Sequence, residues 1–589
     1  MNLAHVPRLW RTVRHLRYSQ LYWRGRYLLE RRRPVRAHAG DRGLAIDAPV
    51  GMSRAFPEIP LFHRPGSDPN QTVRELSAGV FTHLNRCANI GRDRPDWRLG
   101  ACATDRLWTV TLHYHAWAHA LAEAAVGGNA EASALLEHYL SDWLDRCPLE
   151  APGARELAWN VFAIATRIAW WIRTWHALGE SWWRRRSPLA ARFLASLAEQ
   201  AEYVHDHLEW DLRANHLLRD AVGLAWAGRF FDGPQAARWR QTATELAASQ
   251  AAEQVLPDGA HFELSPMYHV QAMEDFLSLA LLIEDAPIAA KLQQTWSAMA
   301  EHLAWIRHPD GHIPLLGDSA MAAVCEPSAM LACGGRLGVP TDPSPRRGGR
   351  HFERAGLVAW HDNDWTVFWD VGPVGPAYQP AHGHADTLNC EASFRGRRVF
   401  VDPGTYAYDD DQRRRRQRGT ASHNTVCIDG ADSSEVWGIF RVGRRARPLG
   451  VRVDLASDRF HGHATHDGYD HLPGRPRHER LLRVDGEGAL TITDRISGEC
   501  EHRIAGGLLV EPSWRASERA GGWRLADGEG RAIDVDVSGS RPLRLAIEPA
   551  TYSPQFGLEL PTVRLAWRYA GSLPLEVTTA TRPARSARA

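Results

Sequence analysis

In the segment AHGHADTLNCEASFRGRRVFVDPGTYAY, His382 and His384 stand two residues apart, so an extended chain puts both imidazoles on one face. Asp402 closes the β-type run that follows, and His423 opens the next, HNTVCIDG. Two imidazoles and a carboxylate converging from separate strands suit a borderline divalent metal, zinc first and manganese second, with a coordination position left for water. Taken singly, these residues read as ordinary turn histidines and capping aspartates; their joint spacing is what favours a metal. Two further groups carry acid–base chemistry. Arg213-Ala214-Asn215-His216 heads an apolar helical pattern, where the Asn215 amide is as readily an N-cap as a functional group. In LPDGAHFELSPMYHVQAMEDF, Asp258-Gly259 makes a turn, and Glu263, Tyr268 and His269 follow on a loop entering a helix. A tyrosine in that position is more often a packed amphipathic side chain than a base. Between Asp402 and His423 runs DDDQRRRRQR, Asp409 to Arg418, a solvated loop by composition and an anion-gripping loop by position.

The elements that must hold these residues divide the chain. At 589 residues it exceeds one ordinary core, so two or more domains are expected. Residues 1–65 form a basic lead-in that ends in a proline-punctuated stretch (Pro49, Pro57, Pro60, Pro65). Over 66–345 apolar residues recur at spacings of three and four, as in LWTVTLHYHAWAHALAEAAV and VFAIATRIAWWIRTWHAL, which predicts stacked helical hairpins. Over 346–589 short β-branched and aromatic runs alternate with Gly, Asp and Pro turns, the pattern of an antiparallel β-sandwich. The chemical groups fall on both sides of this division, so a cleft between the two domains is expected.

Composition narrows the function. A net charge of +1 argues against a nucleic-acid footprint. Lys291 is the single lysine, and base composition of the coding sequence accounts for arginine supplying the rest of the positive charge. The eight cysteines are scattered without a CxxC pair, which fits free buried thiols in a reducing compartment. No apolar run approaches a membrane span, and the basic, aromatic start lacks the apolar core of an export signal. Cytoplasmic localisation is expected, with the periplasm as the alternative. The first thirty residues either pack on their own protein or lie as an amphipathic helix on a membrane surface.

Read together, LHYHAWAHAL, NHLLRDAVGLAWAGRFF, LPDGAHFELSPMYH, HPDGHIPLLGDSA, HGHADTLNCEASFRGRRVFVDPGTYAY and RGTASHNTVCIDGADSSEVWGIFRVGRRARP resemble the heparinase II/III family of polysaccharide lyases, in the family's order over roughly residues 100 to 450. The resemblance implies an α + β multidomain chain: an incomplete (α/α) toroid followed by a C-terminal antiparallel β-sandwich. It implies β-elimination on a uronic-acid-containing polysaccharide, such as hyaluronan, chondroitin or heparan sulfate, with alginate or a bacterial exopolysaccharide as runner-up. By position, Asn215 and His216 match the pair that neutralises the substrate carboxylate, Tyr268 the catalytic tyrosine, and His382 the histidine that assists or replaces it. His384, Asp402 and His423 match the ligands of one structural divalent metal, usually zinc. His269, Glu263, Arg413 and Arg418 are the expected substrate-binding residues. Arg219, three residues after His216, departs from the acidic residue of heparinase II, which puts heparin-like specificity in doubt. Two other classes stay open. A glycoside hydrolase would need a carboxylate pair drawn from Glu263, Asp310 and Asp318. A glycan-binding or polysaccharide-assembly protein would keep the fold without turnover.

Overall fold

In a computed structural model of the chain, residues 6–31, 56, 69–98, 106–339, 341–342, 344 and 346–584 are described. Pro49, Pro57, Pro60, Pro65 and Cys102 lie outside them. The helical body is an incomplete (α/α) toroid made of four helical hairpins in two layers. The inner helices are Ala116–Val126, Val161–Arg184, Ala214–Phe230 and Pro266–Leu282; each packs on the next and on its own outer partner. The outer helices are Ala130–Arg146, Ser187–Asp206, Pro234–Gln254 and Ala286–Trp305. Spacing explains the layering. Ile164, Ile168, Trp171 and Ile172 recur every three or four residues and are buried, as a helix with one core-facing stripe requires. Ala214–Phe230 is buried almost all round, because it is flanked by inner neighbours on both sides. Its Gly223 allows that contact: a Cβ there would lie 2.8 Å from the Ala165 Cα. Helix starts follow local capping, with the Asn160 side chain accepting from Ala163 N–H and the Ser265 hydroxyl from Tyr268 N–H.

One element inside the helical region departs from the sequence reading. Val80–His83 and Arg86–Asn89 pair as an antiparallel hairpin, not a helix. Leu84 and Asn85 both adopt positive φ at its turn, a two-residue connection whose Asn is the sequence signal for it.

The chain changes character between Leu337, the end of a short 3-10 turn, and Gly348, the start of a five-stranded antiparallel sheet. That sheet runs in sequence order from Gly348–Phe352 to Arg397–Phe400. An eight-stranded antiparallel sheet and a four-stranded one complete the sandwich. Trp360, Trp365, Trp369, Phe460, Leu482 and Val535 form its shared core. Strand Arg477–Val484 alternates outward and inward side chains, the period-two pattern of a half-buried strand.

The two bodies are tied by buried polar contacts. His308 Nδ1 bonds Ser393 Oγ at 2.7 Å, Arg398 pairs with Asp310 at 2.6 Å, and Glu391 accepts the Leu315 N–H. Two N-terminal helices, Val6–Val13 and Tyr18–Arg31, lie across both bodies. They pack on their own protein, yet their outer face leaves Trp10, Tyr18, Tyr22, Leu28 and Leu29 exposed. No described helix is long and apolar enough to cross a membrane, and the described cysteines are free.

Inside the sandwich, Arg480 grips Asp494 with two bonds of 2.7 and 3.0 Å, and His478 adds a third at 2.7 Å. Burial alone would raise the Asp494 pKa; Arg480 and His478 outweigh it and hold the carboxyl down to about 2. Such a group stabilises the fold above the unfolded carboxyl pKa of about 4, and that contribution is lost as pH falls toward 2. Asp494→Asn is expected to cost about 3–5 kcal/mol at neutral pH, because Arg480 is left buried without its partner. Urea unfolding at neutral and acid pH checks this: the gap between the proteins narrows on acidification.

Candidate active site

A cleft of about 1420 Å³ opens between the toroid, the sandwich and the N-terminal helices. Asn215, His216, Arg219, Tyr268, Gln271, His382 and Tyr408 line it. The inner helices deliver the first five of these, and segments of the sandwich domain deliver His382 and Tyr408.

Asn215 and His216 sit in the first turn of the helix Ala214–Phe230, so Asn215 is not its N-cap; that place belongs to Arg213. Arg213 and Ala214 both have positive φ, at 61° and 54°, an uncommon backbone state for two residues that are not glycine. Held conformations of this kind cluster at functional sites. The turn aims Asn215 into the cleft wall, where its Oδ1 is buried without a hydrogen-bond partner among the described residues. His216 is half-buried, edge-on to Phe162, with Nδ1 bonded to Glu209 Oε2 at 3.0 Å. Burial pulls its pKa down, and the Glu209 carboxylate more than reverses this, so the ring favours the imidazolium form. A cationic ring beside a free amide is a receptor for a carboxylate.

Tyr268 stands one turn into the helix Pro266–Leu282 because Ser265 caps that helix and Pro266 opens it. Its ring stacks on His382, with centroids 3.7 Å apart and planes 22° from parallel. Its hydroxyl bonds the Tyr408 hydroxyl at 3.1 Å. Burial, with Asp318 and Glu263 nearby, pushes its pKa far above the usual phenol value, against the Tyr408 hydrogen bond. Tyr268 is therefore a neutral phenol in the empty cleft.

His382 is fixed from both sides. Its Nδ1 faces Asp318 Oδ2 at 3.1 Å and its Nε2 faces Glu263 Oε2 at 3.2 Å. The ring shows the cleft its face and offers no free nitrogen, which corrects its expected place as an alternative base. Asp318 is the hub: it takes two bonds from Arg414 and one from Nε2 of His384 at 2.9 Å. Burial would raise the Asp318 pKa, but Arg414, His382 and His384 keep it well below the carboxylate range.

The four expected substrate-binding residues do not reach the cleft. His269 points the other way on its helix, bonded to the His261 N–H and the Met299 carbonyl, and burial lowers its pKa to about 4. It supplies no positive charge to Tyr268. Glu263 is buried, accepting the Asn215 N–H at 3.0 Å on one oxygen and facing His382 on the other. Arg418 is buried against the carbonyls of Gly383 and Gly438. Arg413 lies over Tyr406 and pairs with Glu559. Arg414 and Tyr408, absent from the sequence assignment, take the structural and cleft-facing places instead.

His384, Asp402 and His423 are all buried, with one ligand atom from each within 4.8 Å of the others. His384 Nδ1 and His423 Nε2 have no hydrogen-bond partner among the described residues. Two unpartnered imidazole nitrogens beside a carboxylate fit a divalent cation. Asp318 bonded to the second nitrogen of His384 is the outer carboxylate that metal-binding histidines commonly carry.

An open helical toroid joined to an antiparallel sandwich, with Asn215, His216 and a tyrosine in the cleft between them, defines a toroid-plus-sandwich protein. The chain belongs to the heparinase II/III-like family: the heparinase II/III N-terminus model matches residues 77–329, and the heparinase II/III-like C-terminal model matches 344–585. A heparin-sulfate lyase of Pedobacter heparinus is 26% identical over 351 residues, 54% of this chain and 51% of that protein. One from Bacteroides thetaiotaomicron is 24% identical over 363 residues, with the same shares. The chain thus spans about half the length of the curated relatives it matches. Among solved structures, heparinase III superposes with a TM-score of 0.76 at 17% identity, covering 90% of this chain and 87% of that one. A Streptomyces coelicolor A3 chondroitin AC lyase, solved with chondroitin sulphate, gives 0.52 at 10% identity, covering 90% and 81%. At these identities the likeness is one of fold.

Because Glu209 raises the His216 pKa, the cation is present below the folded value and lost as pH rises through it. Glu209→Gln removes that support, so the His216 pKa is expected to fall. An NMR titration of labelled histidines in the two proteins reads the shift directly.

Proposed function

We propose that the chain is a polysaccharide lyase that cleaves a uronate-containing glycan by β-elimination. The arrangement of Asn215, His216 and Tyr268 around one cleft carries this reading. A uronate C5–H is too weakly acidic to lose its proton while the neighbouring carboxylate holds a full charge. The Asn215 amide and the His216 imidazolium stabilise the enolate-like charge that develops there. Tyr268 is neutral before reaction, so one coupled exchange suits it. Its hydroxyl proton passes to the leaving O4, its oxygen takes the C5 proton, the C4–O4 bond breaks and a C4=C5 double bond forms. The tyrosine ends as it began. Tyr408 orients the hydroxyl during the transfer, and His382 orients the ring.

A single residue exchanging both protons reaches only one face of the sugar. The glucuronate epimer places C5–H and O4 on the same face, which favours glucuronate glycosaminoglycans such as hyaluronan, chondroitin or heparan sulfate. The names of the aligned relatives point the same way. Alginate and bacterial exopolysaccharides are the second substrate class. A zinc ion, or manganese in its place, held by His384, Asp402 and His423 would fasten the turn bearing His382 to the flanking strand ends.

Purified protein offered a panel of uronate polymers is expected to generate the ultraviolet absorbance of the unsaturated uronide, on glucuronate polymers and not on iduronate-only ones. Tyr268→Phe is expected to abolish it, a loss of at least about 100-fold. A flat trace with every polymer from folded wild type sinks the lyase reading. For the metal, elemental analysis is expected to find one divalent ion per chain, lost in His423→Ala. Chelation is expected to lower the melting temperature, removing about 2.7 kcal/mol where the free ion stood at a hundred times its Kd. A chelated protein of unchanged stability that loses only turnover would overturn the structural role.

A further inference from the structure

The N-terminal helix pair lies ahead of both matched family ranges, which begin at residue 77. It is nevertheless built into the cleft. On the sandwich side Arg8 and Arg11 pair with Glu435 at 3.1 and 2.7 Å, and Trp437 donates to Thr12 at 3.1 Å. On the toroid side Arg17 pairs with Glu253 at 2.9 Å, Gln20 donates to the Asp211 carbonyl, and Trp23 stacks on Trp210. Held at both ends, the pair presents Leu16, Arg24 and Tyr27 to the cleft.

Arg24 differs from its neighbours. Arg8, Arg11, Arg17 and Arg26 each have a carboxylate within ion-pair distance. Arg24 has none among the described residues; its one bond is a long 3.4 Å contact to the Asp211 carbonyl. Arg441, also lining the cleft, likewise lacks a carboxylate and rests on the Trp437 ring at 4.6 Å. Burial disfavours the Arg24 charge, Asp211 partly offsets this, and Arg441 is close enough to add to the burial effect. Asp211 lies within electrostatic reach of both Arg24 and His216, and Arg24, Arg441, Asn215 and His216 all line the one cleft. Like charges brought together from separate elements at one cleft wall, neither with a carboxylate at ion-pair distance among the described residues, form a receptor for a ligand oxyanion.

We propose that the N-terminal helix pair takes part in substrate binding, and that Arg24 and Arg441 bind the carboxylate or sulfate of a sugar neighbouring the one held by Asn215 and His216. The assignment rests on the lyase reading for its substrate class. Arg24 is here a specificity-determining residue that leaves the proton transfers to Tyr268.

The test compares Arg24→Gln and Arg24→Lys with wild type. On the polymer that wild type cleaves, Arg24→Gln is expected to raise KM about tenfold to a hundredfold with kcat nearly unchanged and melting unaltered. Arg24→Lys is expected to recover part of the loss, and added salt to shrink the difference between wild type and Arg24→Gln. An unchanged KM in Arg24→Gln overturns the subsite while leaving the lyase reading intact. The second measurement is calorimetric binding of unsulfated and sulfated glucuronate oligosaccharides to Tyr268→Phe, with and without Arg24→Gln, and it needs no turnover. Weaker binding of both ligands assigns the carboxylate, and of the sulfated one alone the sulfate. Equal affinity for both overturns the proposal even if wild type proves inactive.

Discussion

The buried carboxylate of Asp318 holds together parts of the molecule that the chain keeps far apart. It sits on the loop that leaves the last hairpin of the toroid, and its bonds run to His382, His384 and Arg414 of the sandwich. Its main chain is also engaged, with its N–H donating to the His382 carbonyl and its carbonyl accepting from Ser265. Ser265 caps the helix that carries Tyr268. One residue thereby sets the distance between the tyrosine, the histidine stacked on it and the imidazole of the metal site. A charge buried this deeply is tolerated only because its acceptor sites are filled by cationic or N–H partners.

Glu263 makes a parallel link on the other side of His382. It takes the N–H of Asn215, one of the free donors at a helix start, and faces the imidazole with its second oxygen. The carboxylate receptor on one inner helix and the stacked ring from the sandwich are thus connected through a single side chain. Neither body alone carries the whole set of cleft residues, since the toroid lacks His382 and Tyr408 and the sandwich lacks Asn215, His216 and Tyr268.

The sequence made the two-body architecture readable because helical and strand periodicities change sharply near residue 348. It also singled out, by resemblance to a known family, Asn215, His216 and Tyr268, which the fold brings to one cleft, and His384, Asp402 and His423, which it brings into one buried cluster. What it hid were directions. Tyr268 and His269 are adjacent, but successive residues of a helix point about 100° apart, so one enters the cleft and the other the core. The run from Asp409 to Arg418 reads as a loop until Gln412–Arg418 is known to be helical. Then Arg414 and Arg418, four apart, share the inward face, while Arg413 turns outward to Tyr406 and Glu559. The pairing of Asp318 with Arg414 crosses between bodies, and no local pattern announces it.

Carboxylates stand in and behind the cleft wall. Several acids in and behind the wall are partnered there. Glu209 is covered by His216, Glu263 by the Asn215 N–H and His382, Asp318 by Arg414 and two imidazoles, and Asp275 by Arg219. These acids orient cations and donors, and at His216 and Arg219 the cation's other side faces the cleft. His216 is the clearest case: the Glu209 carboxylate behind it makes it a better cation in front. Arg219 fits the same logic, since its partner Asp275 is buried behind it and Arg219 lines the cleft. Acid behind and base in front turns cationic groups toward the cleft without a large net charge on the protein, in keeping with a chain of +1 overall.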